Sequence, residues 1–303
     1  MKFKSILILP FFVASLQAAS VDDLTFALNG DGTEYSVSYC VTTASGSLNI
    51  PSTYNDLPVT SIGYWAFRDC SSLTSITIGN SVTSIGYGAF YKCSDLSSIT
   101  IPDAVTSIGN LAFNDCSSLT SIIIPDSVTS IGDSALRGCS DLSSITIPDS
   151  VTSIENSAFR DCSSLTSITI GNSVTSINDF MFVGCDALSN IILNNASLNL
   201  VNAGDGIWNR VTNITIPEGT TEIANYAFSK CSNVTSITIP DSVTSIGIYA
   251  FQYCSGLTSI TIPDSVTSIG ESAFRNCSGL TSINIPSRYQ MHYPQSKSHC
   301  RGW

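Results

Sequence analysis

The chain has 303 residues, of which 43% are hydrophobic and only 12% charged, and its formal net charge is −11. A soluble domain ordinarily carries about 25% charged residues, so this surface is polar without being ionic, and its acidity argues against a nucleic-acid partner or adsorption to anionic lipid, both of which need clustered Lys and Arg. The only histidines, His292 and His299, sit near the C-terminus, which removes a His-based catalytic or metal centre from the body of the chain.

Residues 1–20 read as a secretory signal. Lys2 and Lys4 form a basic start, an apolar run extends between Ile6 and Leu16, and Gln17-Ala18-Ala19-Ser20 supplies small residues for cleavage. The run is too short to span a bilayer, which takes about 20 residues; an uncleaved anchor or a buried strand is the alternative. No later segment is long and apolar enough for a membrane helix. Residues 21–60 lack the regular spelling of the rest of the chain and read as an N-terminal cap with a leading strand. Leu24 to Tyr39 supplies one or two strands around the turn Asn29-Gly30-Asp31-Gly32, and Ser47-Leu48-Asn49-Ile50-Pro51 is already repeat-like.

From residue 61 to 286 the chain repeats. Cys70, Cys93, Cys116, Cys139, Cys162 and Cys185 are each 23 residues apart, and Cys231, Cys254 and Cys277 keep the same phase, with Trp208 at the missing place. With Cys as position 1 the unit reads C-S-x-L-T-S-I-T-I-P-D-S-V-T-S-I-G-x-x-A-F-x-x, as Cys254 to Asn276 illustrates. The unit carries apolar residues at positions 4, 7, 9, 13, 16, 20 and 21. These side chains are too few to offset the entropy of ordering a whole unit alone, so the units must stack into a solenoid that seals both faces of each coil. Ser-Ile-Thr-Ile at positions 6–9 alternates with period two and reads as a strand with Ile inward. Pro-Asp or Gly-Asn turns the chain, Val-Thr-Ser-Ile is a second extended piece, and the Gly at position 17 is expected to allow another turn. Ala-Phe-x-x-Cys is expected to close the coil as a helical or 3₁₀ turn.

Residues 185–207 form a degenerate coil that lacks the Val, Ala and Phe positions. Drift with a bulged loop explains it; a loop that interrupts the ladder to make a specificity patch is the functional alternative. Residues 287–303 are basic and fit no repeat position except Cys300. A frameshift accounts for this tail, because codons for the repeat's Val-Thr-Ser, displaced by one base, spell Arg288-Tyr289-Gln290. A natural polar tail capping the stack is the alternative.

The repeated residues resemble the BspA-like leucine-rich repeats, a bacterial 23-residue class written L-x-x-I-x-I-P…V-x-x-I-G-x-x-A-F-x-x-C. The resemblance spans about residues 46–286. It implies a β-rich repeat solenoid, curved, right-handed and parallel, with short extended pieces and helical or 3₁₀ turns. It also implies a secreted or surface-displayed protein associated with adhesion and protein binding, and no enzyme activity. No cofactor motif is present, and no G-x-S-x-G or phosphate loop occurs.

The nine in-phase cysteines, Cys70, Cys93, Cys116, Cys139, Cys162, Cys185, Cys231, Cys254 and Cys277, are expected as buried, reduced core thiols. In adjacent coils their Cβ vectors run parallel, whereas a disulfide needs them to converge. Cys40 and Cys300 fall outside the uninterrupted ladder and are the expected reactive thiols. Zinc is disfavoured for want of a C-x₂₋₄-C pair or a nearby His. Asp103, Asp126, Asp149, Asp241 and Asp264 recur at position 11, either as a carboxylate column for Ca²⁺ or as turn-capping side chains; Asn80, Asn172 and Asn195 in the same column fit the turn role. Ser75/Thr77, Ser98/Thr100, Ser144/Thr146, Ser167/Thr169, Ser236/Thr238 and Ser259/Thr261 line an outward hydroxyl face, interrupted by Ile123 and Ile192. That face suits glycan or an ordered ice surface, or is simply a solvent-compatible strand face.

Packing dictates the invariant positions, so specificity belongs to positions 18, 19, 22 and 23. Tyr64, Trp65, Tyr87, Tyr91, Tyr226, Tyr249 and Tyr253 lie there, interspersed with Arg68, Lys92, Arg137, Arg160, Lys230 and Arg275. Tyr, Trp and Arg are the types enriched at binding hot spots, and Tyr64, Trp65 and Tyr87 are expected to cluster across two coils; ordinary convex-surface residues are the plainer reading. The expected function is non-enzymatic binding of extracellular protein or glycan. A self-assembling surface element, associating through the C-terminal end, and an ice binder are the alternatives.

Overall fold

The computed structural model describes residues 18–175, 177, 180–194 and 210–285. Residues 1–17, most of the degenerate half-coil and the tail after 285 lie outside them, so the signal, specificity-loop, frameshift and Cys300 readings fall there.

The chain is a parallel β-solenoid of about ten coils. Its register is the 23-residue period itself. On one face Ser144 pairs with Ser167, Ser167 with Asn190 and Asn190 with Asn213. On a second face Ser61, Ser84, Ser107, Ser130 and Ser153 succeed one another. Because strand side chains alternate, a constant period keeps each Ile on the same side in every coil. Leu73, Ile76, Ile78, Val82, Ile85, Ala89, Phe90 and Cys93 show what one coil buries, none more than 2% exposed. The position-21 rings stack from coil to coil: Phe67, Phe90 and Phe113 at 5.0 and 5.3 Å between centroids, and Phe228, Phe251 and Phe274 at 5.4 and 5.2 Å. Leu136 interrupts the first stack.

The third side of each coil differs from expectation. Among the described residues the only helical element is the 3₁₀ turn Val21–Asp23; the Ala-Phe-x-x-Cys segment is instead a chain of overlapping turns. Its backbone donors alternate. Ala66, Arg68 and Cys70 donate within the coil to Gly63, Trp65 and Phe67, while Trp65, Phe67 and Asp69 donate to Tyr87, Ala89 and Tyr91 of the next coil. A 3₁₀ helix would consume every donor internally, so alternation is what lets this side join the stack. It requires positive φ at positions 19 and 23, and Trp65 (54°), Asp69 (60°), Ser134 (53°), Ser157 (58°) and Tyr249 (56°) adopt it without being glycine.

The position-17 glycines also serve a different purpose from the one expected. Gly109 has no positive φ; a Cβ there would lie 2.8 Å from the backbone carbon of Gly86 in the preceding coil. At Gly109 the missing Cβ serves the close approach of adjacent coils and not a turn, although Glu155 and Ala224 hold the same position in other coils.

Among the described residues the ten cysteines are free and buried. Most in-phase thiols have a task that size alone does not explain. Cys93, Cys116, Cys139 and Cys162 donate Sγ–H to the position-21 carbonyls of Phe67, Phe90, Phe113 and Leu136 in the preceding coil, at 3.1, 3.1, 3.3 and 3.2 Å. Cys is small, apolar enough for the core and still a weak donor. Cys40 corrects the sequence reading: it is 0% exposed, and Cys70 Sγ donates to its carbonyl at 3.7 Å. It belongs to the core of the leading coil and is not a surface thiol.

The N-terminal region is an antiparallel pair, β1 (Leu24–Leu28) against β2 (Tyr35–Cys40). β2 then continues in parallel into the second solenoid face, with Val37 opposite Ile62. Phe26 stacks on Tyr54 at 4.0 Å and Tyr35 meets both rings edge-on, at 6.3 and 5.1 Å.

Candidate binding surface

The turn edge presents most side chains at positions 18, 19, 22 and 23 outward, because positions 20 and 21 are committed to the core; Asn114 and Ser134 are buried exceptions. On the first coils this brings the expected aromatics into one cluster. Tyr64 and Tyr87 stack at 5.2 Å, Trp65 meets Tyr64, Tyr87 and Tyr91 edge-to-face at 5.5, 5.2 and 4.9 Å, and Arg68 lies 5.0 Å from the Trp65 ring. Tyr64 is 66% exposed, so the cluster is a surface. Edge-to-face and offset pairs each add about 0.5–1.5 kcal/mol beyond burial, which holds the rings in place before any ligand arrives.

Gly88 is a residue that sequence reasoning missed. It stands at position 19 with φ of 58°, and a Cβ there would lie 2.3 Å from the Trp65 ring. The indole is seated on bare backbone. The signal was a glycine at the only position-19 place that comes one coil after a tryptophan.

Farther along the same edge, Tyr226 and Tyr249 stack at 5.1 Å, with Tyr253 and Ile248 exposed beside them. This second group does not touch the first. Phe180, 60% exposed, stands between them in the same column.

The other candidate features resolve differently. Asp149 Oδ1 accepts from the Asn172 backbone N–H of the next coil at 2.8 Å, a turn-stapling role across coils. Hydroxyls at positions 5 and 14 join neighbouring coils: Thr106, Thr129 and Thr152 each donate to the equivalent carbonyl of the preceding coil at 3.2–3.3 Å, as do Ser97 and Thr120 at 3.0 and 3.3 Å, and Ser117 and Ser140 at position 2 and Ser127 and Ser150 at position 12 donate to preceding-coil carbonyls too. The expected Ser/Thr face at positions 6 and 8 is solvent-facing but divided. Its strands fall into separate sheets, and Ile123, 81% exposed, marks one break. Among the described residues no helix is long and apolar enough to cross a membrane, and no group of three His, Cys, Asp or Glu could hold a metal ion.

A parallel solenoid with this coil spelling defines a leucine-rich-repeat protein. The family described as BspA type Leucine rich repeat region matches in six copies over residues 38–163, 131–204 and 207–300, and the chain belongs to that family. Solved structures agree in fold. A leucine rich cell surface protein from Faecalibacterium prausnitzii is 30% identical, with 91% of this chain and 94% of that one covered and a TM-score of 0.51. A leucine-rich repeat protein from Bacteroides ovatus is 28% identical, covering 88% of each chain, at 0.50. The T. pallidum leucine rich repeat protein, at 22% identity, covers 88% of this chain and 92% of its own at 0.56. A search of curated proteins finds no match.

Proposed function

We propose that this protein is a non-enzymatic binding protein, secreted or held at the cell surface, that engages an extracellular macromolecule through the turn edge of its solenoid in the manner of an adhesin. The observation that carries the reading is the Tyr64, Trp65, Tyr87, Tyr91 and Arg68 cluster: residue types favoured at hot spots, pre-arranged by ring contacts and seated on Gly88. The cell-surface name of the F. prausnitzii relative supports the location. The test is biolayer interferometry of the purified protein against extracellular-matrix proteins and surface glycans. Saturable binding that is lost in Tyr64→Ala/Trp65→Asn/Tyr87→Ala supports the reading; binding unchanged in that variant overturns the site.

A second reading is a self-assembling surface element. It is favoured by the strand Ser282–Asn284, whose Ile283 is 39% exposed, while the equivalent Ile260 is 3% exposed. Sedimentation over a range of concentrations checks it: a constant monomer mass would exclude it.

A further inference from the structure

We infer that the tyrosine pairs Tyr64/Tyr87 and Tyr226/Tyr249 are sites of oxidative phenol coupling, each forming a covalent staple between two adjacent coils. The inference does not rest on the binding role proposed above. Tyr64 and Tyr87 both occupy position 18, and Tyr226 and Tyr249 both occupy position 19, one 23-residue coil apart in each case. Trp65 N–H donates to the Tyr87 carbonyl at 3.0 Å and Tyr226 N–H to the Ile248 carbonyl at 2.9 Å, which holds the two backbones of each pair at one strand spacing. The phenol rings follow that register, with centroids 5.2 and 5.1 Å apart and planes only 20° and 23° from parallel. Tyr64, Tyr87 and Tyr226 are exposed and Tyr249 is half-buried.

Ring geometry separates these pairs from the other tyrosines. A phenol that loses one electron and its proton becomes a radical whose spin lies on the oxygen and on the ortho and para ring carbons, in orbitals perpendicular to the ring. In stacked rings those orbitals face each other, and a small turn of the two side chains closes the gap between ortho carbons. Tyr35 and Tyr54 meet edge-on, at 85° and 5.1 Å, so their orbitals do not face. Tyr39 and Tyr253 are exposed as well, but neither stacks on a ring among the described residues. The oxidant is hydrogen peroxide acting through a haem peroxidase. Each ring gives up one electron and one proton, and the two radicals join by one carbon–carbon bond between ortho carbons. The ortho hydrogens move to the oxygens and restore both phenols. The peroxide O–O bond breaks and its oxygens leave as two waters, so each coupled pair is lighter by two hydrogens. The new bond closes a loop of one coil in the unfolded chain, and such a cross-link stabilises mainly by restricting that chain.

The test treats the purified full chain with hydrogen peroxide and a haem peroxidase, at a protein concentration low enough to disfavour collisions between chains. It follows the blue fluorescence of coupled tyrosine, the intact mass and the peptide map. The expected product is a monomer lighter by two hydrogens for each coupled pair, with cross-linked peptides joining Tyr64 to Tyr87 and Tyr226 to Tyr249, and with a Tm above that of the untreated chain. Tyr64→Phe/Tyr226→Phe keeps every ring but removes one phenol from each pair, and circular dichroism verifies that it folds. Its fluorescence after the same treatment should fall to near the level of the untreated chain. Fluorescence undiminished in that variant, cross-links that map to Tyr39 or Tyr253, products that are chiefly dimers, or no coupled product from the wild-type chain each overturn the assignment of the pairs. A coupled monomer that melts no higher than the untreated chain overturns the staple.

Discussion

The left-handed backbone of the turn edge is set residue by residue, and it carries a cost. An L-residue with a Cβ in that region loses about 1–2 kcal/mol, offset here by the inter-coil hydrogen bonds that the conformation permits. Ser157, at φ 58° and half-buried, is one such site. Ser157→Gly should raise stability by about 0.5–1 kcal/mol, the relieved strain less the glycine's unfolded-state entropy. Ser157→Val should lower it by about 1 kcal/mol or more, since a branched Cβ fits that region worst; thermal melts of the pair check the sign. The thiols give a second prediction. Burial pushes Cys116 and Cys139 above the ordinary value of 9.0, so above that pH the unfolded chain releases protons that the folded chain keeps. Stability is therefore full below about pH 9 and falls as pH rises beyond it. Tm should decline from about pH 8 to about pH 10, less steeply in Cys139→Ala, and iodoacetamide should label the thiols only once denaturant opens the coils. The columns of Cys, Ile and Phe were legible in the sequence because core packing repeats with the period. The positive φ values at position 19 were not, because they fall on Trp, Tyr, Ser and Leu, where no residue preference announces them; those at position 23 fall largely on Asp, Asn and Gly, which favour that region.

At the scale of the element, the same limit explains the misread turn. Ala-Phe-x-x-Cys has the spacing of a 3₁₀ turn, and half of its donors do bond three residues back. The other half bond to the next coil, and that partner lies outside any single unit, as do the Gly109 contact with Gly86 and the burial of Cys40 under the cap. The aromatic cluster was legible as neighbours in adjacent coils, but its seat on Gly88 was not. Gly88→Ala should force the Trp65 ring outward, with a reduced near-ultraviolet dichroism of the cluster, a modest fall in Tm and weaker ligand capture. Unaltered near-ultraviolet dichroism would show that the ring does not need the bare backbone. The buried stack allows a sharper stability test. Phe113 is 0% exposed and packs on Phe90 at 5.3 Å, so Phe113→Ala should cost about 3–5 kcal/mol. Because coils contact only their neighbours, hydrogen exchange should accelerate most in residues 90–136 and least near Cys254; uniform acceleration would mean that the solenoid opens as one unit.

The whole molecule is a one-dimensional lattice whose repeat length and register are the same number, and this makes an unusual deletion permissible. Removing residues 116–138 joins Asp115 to Cys139 and leaves every column in phase. It removes Leu136, the break in the ring stack, so that Phe113 faces Phe159, and it removes Ile123, the exposed break in the Ser/Thr face. The junction asks nothing new of the backbone, since Asp115 and Gly138 share positive φ, 59° and 73°. The shortened chain should fold with an unchanged dichroism shape, a Tm within a few degrees of the parent and a long dimension in small-angle scattering reduced by about 5 Å, one strand spacing. Removing 116–137 instead, one residue fewer, shifts the later strands by a single place, which turns inward side chains outward; that chain should aggregate or lose cooperative melting. If both deletions fold equally well, the 23-residue period is a tolerance and not the register of the fold. If only the in-phase deletion folds, the period is the register of the fold.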